Sequence, residues 1–139
     1  MIDTREQDAL FKRSVKGLTL CRNTLPTGDY SIVGFEDQIA VSRKTVSDLY
    51  SSLFADWERE IKVFERMAGM EWKALVIEGH EDDIYRWQDY SQVHPNSMRG
   101  RLCAIEIRFK LPVYYGGRKD LERWILDRFI RYYRDKRDG

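Results

Sequence analysis

The 139-residue sequence has few of the residue types that hold transition metals or act as nucleophiles. It contains only two cysteines, Cys21 and Cys103, and only two histidines, His80 and His94. No two of these four residues fall at the spacing of a zinc-binding pair, so the sequence offers no Cys/His metal motif. Their scarcity also argues against a Ser/His/Asp or Cys/His nucleophile system. We therefore expect two reduced thiols in a reducing compartment.

Long apolar runs, linker segments and an excess of charge are also absent. No stretch approaches the roughly 20 apolar residues of a membrane span, and the first residues lack the layout of a signal peptide. These absences predict one domain over residues 1–139, in the cytoplasm and without a membrane partner. Net charge is +1, so a nucleic-acid-binding surface would have to be local. The basic run 118–137 is either such a surface or a solvated helix face.

Apolar periodicity predicts an α/β fold with a central mixed β-sheet flanked by α-helices. The predicted strands cover residues 2–3, 18–25, 29–33, 38–44, 74–77 and 111–115. Helices are predicted from Thr45 to Gly69, from Pro95 to about Arg108, and after Gly117. The first helix carries an apolar stripe at spacings of three and four and begins with a capping-box pattern, Thr45-Val-Ser-Asp48.

Charged residues converge on the predicted hairpin of residues 29–44. A turn centred between residues 35 and 36 places Asp29 opposite Ser42. Lys44 shares a strand face with Ser42, since side chains alternate with period two, and Arg43 points to the opposite face. Asp48 follows in the first turn of the next helix. Carboxylates beside a lysine suit phosphodiester hydrolysis, in which a hard cation such as Mg²⁺ is held by oxygen ligands.

Each of these residues also has an ordinary structural interpretation. Asp48 fits a helix cap, Lys44 a solvated strand end, and Asp29 a turn after Gly28. The combination in fixed order is more specific than any one of them.

The ordered motifs resemble the nuclease domain of the XPF family, which has a restriction-endonuclease-like fold. The resemblance covers essentially the whole chain, and the arrangement is similar to small stand-alone phage or prophage members. The matching segments are Asp3-Thr-Arg5-Glu6, Gly28-Asp29, Ser42-Arg43-Lys44-x-x-x-Asp48, Ser51-Ser-Leu53, Leu75-Val-Ile-Glu78-Gly79, His94-Pro-Asn-Ser-Met98 and Leu111-Pro-Val-Tyr-Tyr115.

The resemblance implies a metal-dependent, structure-specific DNA endonuclease that acts at branched or junction DNA and pairs as a homodimer. It implies Mg²⁺, or Mn²⁺, as the cofactor. Three residues would hold the metal: Asp3, Asp29 and Asp48. Glu6 would assist in holding the metal, and Lys44 would contact the attacking water. Ser42 occupies a position of the motif. Arg5 and Arg43 are candidates for phosphate contacts.

Two departures from the family pattern bear on activity. Ser42 replaces the motif glutamate, and a neutral hydroxyl is a poor ligand for Mg²⁺. Residues 56–60 lie where the family often has Arg-x-Arg-Phe. The sequence alone therefore predicts little cleavage in Mg²⁺ and a gain of at least about tenfold on Ser42→Glu. Two alternatives stay open: a catalytically inactive DNA-binding or dimerisation module of the same fold, and an adaptor that binds only protein.

Overall fold

The computed structural model describes residues 20–22 and 30–138, which form a five-stranded sheet with helices on both faces. The strands are β1 (Leu20–Arg22), β2 (Tyr30–Ile32), β3 (Ile39–Thr45), β4 (Trp72–Glu78) and β5 (Val113–Gly116), in that spatial order. The pairs β1–β2 and β2–β3 are antiparallel, whereas β3–β4 and β4–β5 are parallel. The predicted α/β fold with a mixed central sheet is confirmed.

Two apolar clusters, one on each face of the sheet, hold the helices in place. The helices are α1 (Val46–Tyr50), α2 (Trp57–Ala68), α3 (Glu81–Ile84), α4 (Pro95–Phe109) and α5 (Arg118–Asp138). Ala40 on β3 belongs to the cluster with α1, α2 and α4, and its neighbour Val41 belongs to the cluster with α5. Strand alternation thus assigns successive β3 side chains to opposite helical layers.

The helix predicted from Thr45 to Gly69 is interrupted, and on this point the prediction was wrong. A π-helical turn, Ser51–Ala55, separates α1 from α2. The amide of Asp56 donates to the carbonyl of Ser51 at 2.9 Å, a bond that spans five residues rather than four. Asp56 itself leaves helical geometry, with φ −105° and ψ 22°. The residue inserted in the π-helical turn rotates α2 about its axis relative to α1. The spacing of the apolar residues did not reveal this rotation.

The basic final helix presents a solvated face. Arg123 pairs with Asp120 at 2.9 Å and Arg131 with Asp135 at 3.4 Å, and all four side chains are more than half exposed. Such pairs along one helix contribute little to stability. Of the helices that lie within residues 30–138, none combines the length and the apolar character needed to cross a membrane.

Candidate active site

The β2–β3 hairpin has the register that its sequence predicts. Tyr30 pairs with Val41, and these two positions are equidistant from the predicted turn centre between residues 35 and 36. The turn contains Gly34 with φ +94°, a left-handed conformation that glycine adopts without strain. Asp29, predicted to lie opposite Ser42, falls just outside the described residues.

Side-chain alternation along β3 separates the candidate residues by face. Ser42 is two residues after Ala40, and Lys44 is two residues after Ser42, so all three project toward the layer of α1, α2 and α4. Arg43 projects toward the α5 layer with Val41. Ser42 is 5% exposed, which makes it a buried hydroxyl at the edge of an apolar cluster. Lys44 lies at the carboxyl end of the same face.

Asp48 lies in the first turn of α1, directly beyond the end of β3. The side chain of Thr45 caps this helix, accepting a hydrogen bond from the amide of Asp48 at 3.2 Å. The cap fixes the chain where strand becomes helix. The carboxylate of Asp48 stays exposed to solvent, at the edge of the sheet where parallel α/β folds usually bind their ligands.

Lys44 has a partner that the sequence analysis did not anticipate. Its Nζ lies 3.5 Å from Oε2 of Glu60 on α2, and each side chain is only 12% exposed. Glu60 precedes the fully buried Phe64 by one helical turn, so it occupies a position on the face of α2 that packs on the sheet. An acid at a stripe position was the one available signal in the sequence.

Arg43 forms an ion pair with Glu78 on the neighbouring strand. In the parallel register Arg43 lies opposite Val76, so Glu78 is its diagonal neighbour on the same face. Burial opposes the charge on Arg43, but the hydrogen bond with Glu78 and the nearby Tyr30 outweigh it and raise the pKa of the guanidinium. The ion pair with Glu78 uses Nη2 of Arg43, so a phosphate contact by Arg43 would share the guanidinium with Glu78.

Gly79 allows α1 to approach the end of β4. A Cβ at this position would lie 2.7 Å from Cγ2 of Val46, the first residue of α1. Any larger residue would push the start of α1 away from the sheet, and with it Asp48. The glycine at the end of β4 therefore has a steric reason, the close approach of Val46 at the start of α1.

Several predicted site residues lie outside the described part of the chain: Asp3, Arg5, Glu6 and Asp29. Among the residues that are described, no three His, Cys, Asp or Glu side chains lie together as a metal-binding group. Mg²⁺ sites commonly use one or two protein carboxylates, with water and substrate phosphate completing the shell. Of the candidate residues within residues 30–138, Asp48 has an exposed carboxylate at this edge, and Glu60 has its carboxylate beside Lys44.

A cleft beside the π-helical turn, lined by side chains of both charges, is a second feature that the sequence analysis missed. Its volume is about 660 Å³, and it is lined by Phe54, Ala55, Asp56, Trp57, Glu58, Arg59, Lys62 and Arg101. The Arg101 guanidinium lies 4.6 Å from the Phe54 ring centre and 4.4 Å from that of Trp57. Burial, with a smaller effect from Arg108, lowers the pKa of Arg101.

Comparison with known proteins assigns the chain to a family. The family model described as the ERCC4 domain matches residues 2–126. The chain belongs to the ERCC4 domain family. A Methanocaldococcus jannaschii protein named as an ATP-dependent RNA helicase is 25% identical over 116 residues. That match covers 83% of this chain but 13% of the relative.

Solved structures show the same fold for this ERCC4 domain. XPF from Aeropyrum pernix superposes with a TM-score of 0.62 at 24% identity, covering 84% of this chain and 55% of that one. The same protein in complex with DNA gives a TM-score of 0.60 at 22% identity, covering 82% and 52%. The resemblance to XPF nuclease domains is thereby confirmed. The chain spans about half the length of these XPF structures.

Proposed function

We propose that this ERCC4 domain is a metal-dependent DNA endonuclease that cuts at branched or junction DNA. The observation that carries the proposal is the arrangement at the carboxyl end of β3. Lys44 and Ser42 share one face, and Asp48 follows in the capped first turn of α1. Membership in a nuclease family supports it, and so does the structural neighbour solved with DNA.

The donors at this edge fit a hard divalent cation. Within residues 30–138 they are oxygens: the exposed carboxylate of Asp48 and the hydroxyl of Ser42. We assign the metal to Asp29 and Asp48, with Asp3 and Glu6 assisting from the amino-terminal segment. A bound Mg²⁺ or Mn²⁺ would stabilise negative charge on the phosphate and acidify an attacking water.

Lys44 supplies positive charge that does not depend on the metal. Its Nζ lies 3.5 Å from Oε2 of Glu60 and its side chain is 12% exposed, so the surrounding packing limits the positions that the ammonium can adopt. A positioned cation at the scissile phosphate stabilises charge that develops in the transition state, and it can also orient the attacking water. The half-buried setting strengthens this effect, because fewer water molecules screen the charge.

Binding and cleavage of branched DNA test the proposal directly. We expect splayed, flap and fork DNAs to bind more tightly than blunt duplex of the same length. Affinity should fall at least about tenfold between 50 and 200 mM salt, the loss that about two neutralised phosphates produce. In Mn²⁺ the branched substrates should be cut near the junction. Fluorescence anisotropy measures the binding, and labelled strands on denaturing gels show the cut.

A blunt duplex of identical sequence is the control for branch preference. Equal affinity for branched and blunt DNA would contradict junction specificity. Salt-insensitive binding, or none at low salt, would favour a protein adaptor instead. We also infer a homodimer, which the resemblance to XPF nuclease domains implies; sedimentation at several concentrations measures the oligomeric state.

Ser42 favours a second candidate function, a catalytically inactive DNA-binding module of the same fold. Salt-dependent binding of branched DNA without any cleavage in Mg²⁺ or Mn²⁺ would establish that module and reject the nuclease.

A further inference from the structure

The carboxylate of Glu60 lies beside Lys44, two residues along β3 from the position at which the family motif has lost a carboxylate. Ser42 and Lys44 are two residues apart on one strand face, a separation of roughly 6.6 Å along the strand. Glu60 approaches this face from α2 and reaches the Nζ of Lys44 at 3.5 Å. A carboxylate is therefore present beside the catalytic lysine, but a helix supplies it rather than the strand.

We propose that Glu60 is a metal ligand that replaces the missing strand carboxylate at position 42. The inference rests on the proposed nuclease function and adds a residue to the same site. It requires that the carboxylate of Glu60 hold the cation directly, through Oε1, while Oε2 faces Lys44.

The contacts of Glu60 leave it free for this role. Within residues 30–138, the contact of Oε2 with Lys44 is the single side-chain polar contact found for Glu60. The distance of 3.5 Å between Oε2 of Glu60 and Nζ of Lys44 exceeds the usual range of a charge-assisted hydrogen bond, which lies below about 3 Å. Oε1 has no polar protein partner among these residues, so it is available to a cation.

The energetics of burial also favour a function for this residue. The carboxylate of Glu60 is only 12% exposed, and a buried charge needs a partner at each of its oxygens to compensate for the hydration that it loses. An apolar residue would suit the packing face of α2 better, one turn before Phe64. A divalent cation in contact with the carboxylate would supply the missing compensation.

Ser42 and Glu60 form a reciprocal pair on steric and electrostatic grounds. A glutamate at position 42 would project onto the same face, so that two carboxylates would approach one lysine and repel each other. The small hydroxyl of Ser42, 5% exposed, puts no second carboxylate on this face of β3. The π-helical turn Ser51–Ala55 sets the rotation of α2, and therefore which of its residues faces Lys44.

Mn²⁺ binding in the absence of DNA tests this role separately from cleavage. We expect Glu60→Gln to weaken Mn²⁺ binding at least tenfold, measured from the electron paramagnetic resonance signal of free Mn²⁺. Glu65→Gln, an exposed change on the same helix, should stay within twofold of the unmodified chain. Adding Ser42→Glu to Glu60→Gln should raise the Mn²⁺ affinity at least tenfold again, since it returns a carboxylate to the strand position.

Two results would overturn the inference: Mn²⁺ affinity unchanged in Glu60→Gln, or no recovery in the folded double variant. An equal gain in Mn²⁺ affinity from Ser42→Glu in the unmodified chain and in the Glu60→Gln variant would also overturn the inference. The two carboxylates would then act independently of each other.

Thermal unfolding of each variant shows whether it folds. If Glu60→Gln does not fold, Glu60→Asp keeps the charge and shortens the side chain by one methylene. It should weaken Mn²⁺ binding at least threefold, and unchanged binding would count against Glu60. Failure of the nuclease function has a different signature, since no variant would then cleave DNA whatever its affinity for Mn²⁺.

Discussion

Lys44→Met should lower the single-turnover rate of junction cleavage about 10²–10³-fold, the effect of removing one positioned electrostatic group from an active site. Methionine keeps most of the aliphatic length of lysine and removes the charge. Lys44 lies at the carboxyl end of β3, and its side chain is only 12% exposed, so packing positions its ammonium before the substrate binds. Cleavage of a labelled fork in excess protein and Mn²⁺ measures the rate.

Lys73→Met is the matched control. Lys73 lies on β4 opposite Ala40, on the same face of the sheet as Lys44 but at its other end. Its ammonium donates to the carbonyls of Ala68 and Met70, both at 3.3 Å, which gives it a structural role at the end of α2. Cleavage by Lys73→Met should remain within threefold of the unmodified chain. An equal loss in both variants would show that Lys44 has no special role in the reaction.

Phe64→Ala should reduce the free energy of unfolding by about 3–5 kcal/mol, the range for removal of a fully buried aromatic ring. Phe64 is 0% exposed in the cluster between α2 and the sheet. Its ring centre lies 5.8 Å from that of Phe109 on α4 and 6.3 Å from that of Trp57. The substitution removes both ring contacts and leaves a cavity one turn from Glu60.

Urea denaturation at one temperature measures this loss of stability. Glu65→Ala, the adjacent exposed residue, should change the unfolding free energy by no more than about 0.5 kcal/mol. A loss below about 1 kcal/mol for Phe64→Ala would contradict the packing between α2, α4 and the sheet.

Local rules were sufficient for the fold and for the framework of the site. The apolar runs identified the strands from β2 to β5 within two residues of their observed bounds. Hairpin symmetry gave the Tyr30–Val41 pairing, and alternation separated Lys44 from Arg43. These features depend on residues that are close in sequence, so sequence patterns are sufficient to predict them.

Features that depend on packing between distant segments were not predictable. The pairing of Arg43 with Glu78 follows from the parallel register of β3 and β4, and the position of Glu60 follows from the rotation of α2 after the π-helical turn. The apolar stripe of that helix looked continuous because an inserted residue leaves its spacing almost unchanged. The roles of Asp3, Arg5, Glu6 and Asp29 stay predictions, since these residues lie outside the described part of the chain.

Metal dependence of cleavage tests the proposed function most directly. The chain is freed of divalent ions with a chelator, mixed in excess with a labelled fork at low salt, and then supplied with Mn²⁺. We predict no cleavage before the addition and cleavage near the junction after it, because the carboxylates at the end of β3 stabilise the transition state only through the cation. Equal cleavage with and without the metal, or none at any Mn²⁺ concentration while the fork stays bound, would contradict the assignment of a nuclease site to Ser42, Lys44, Asp48 and Glu60.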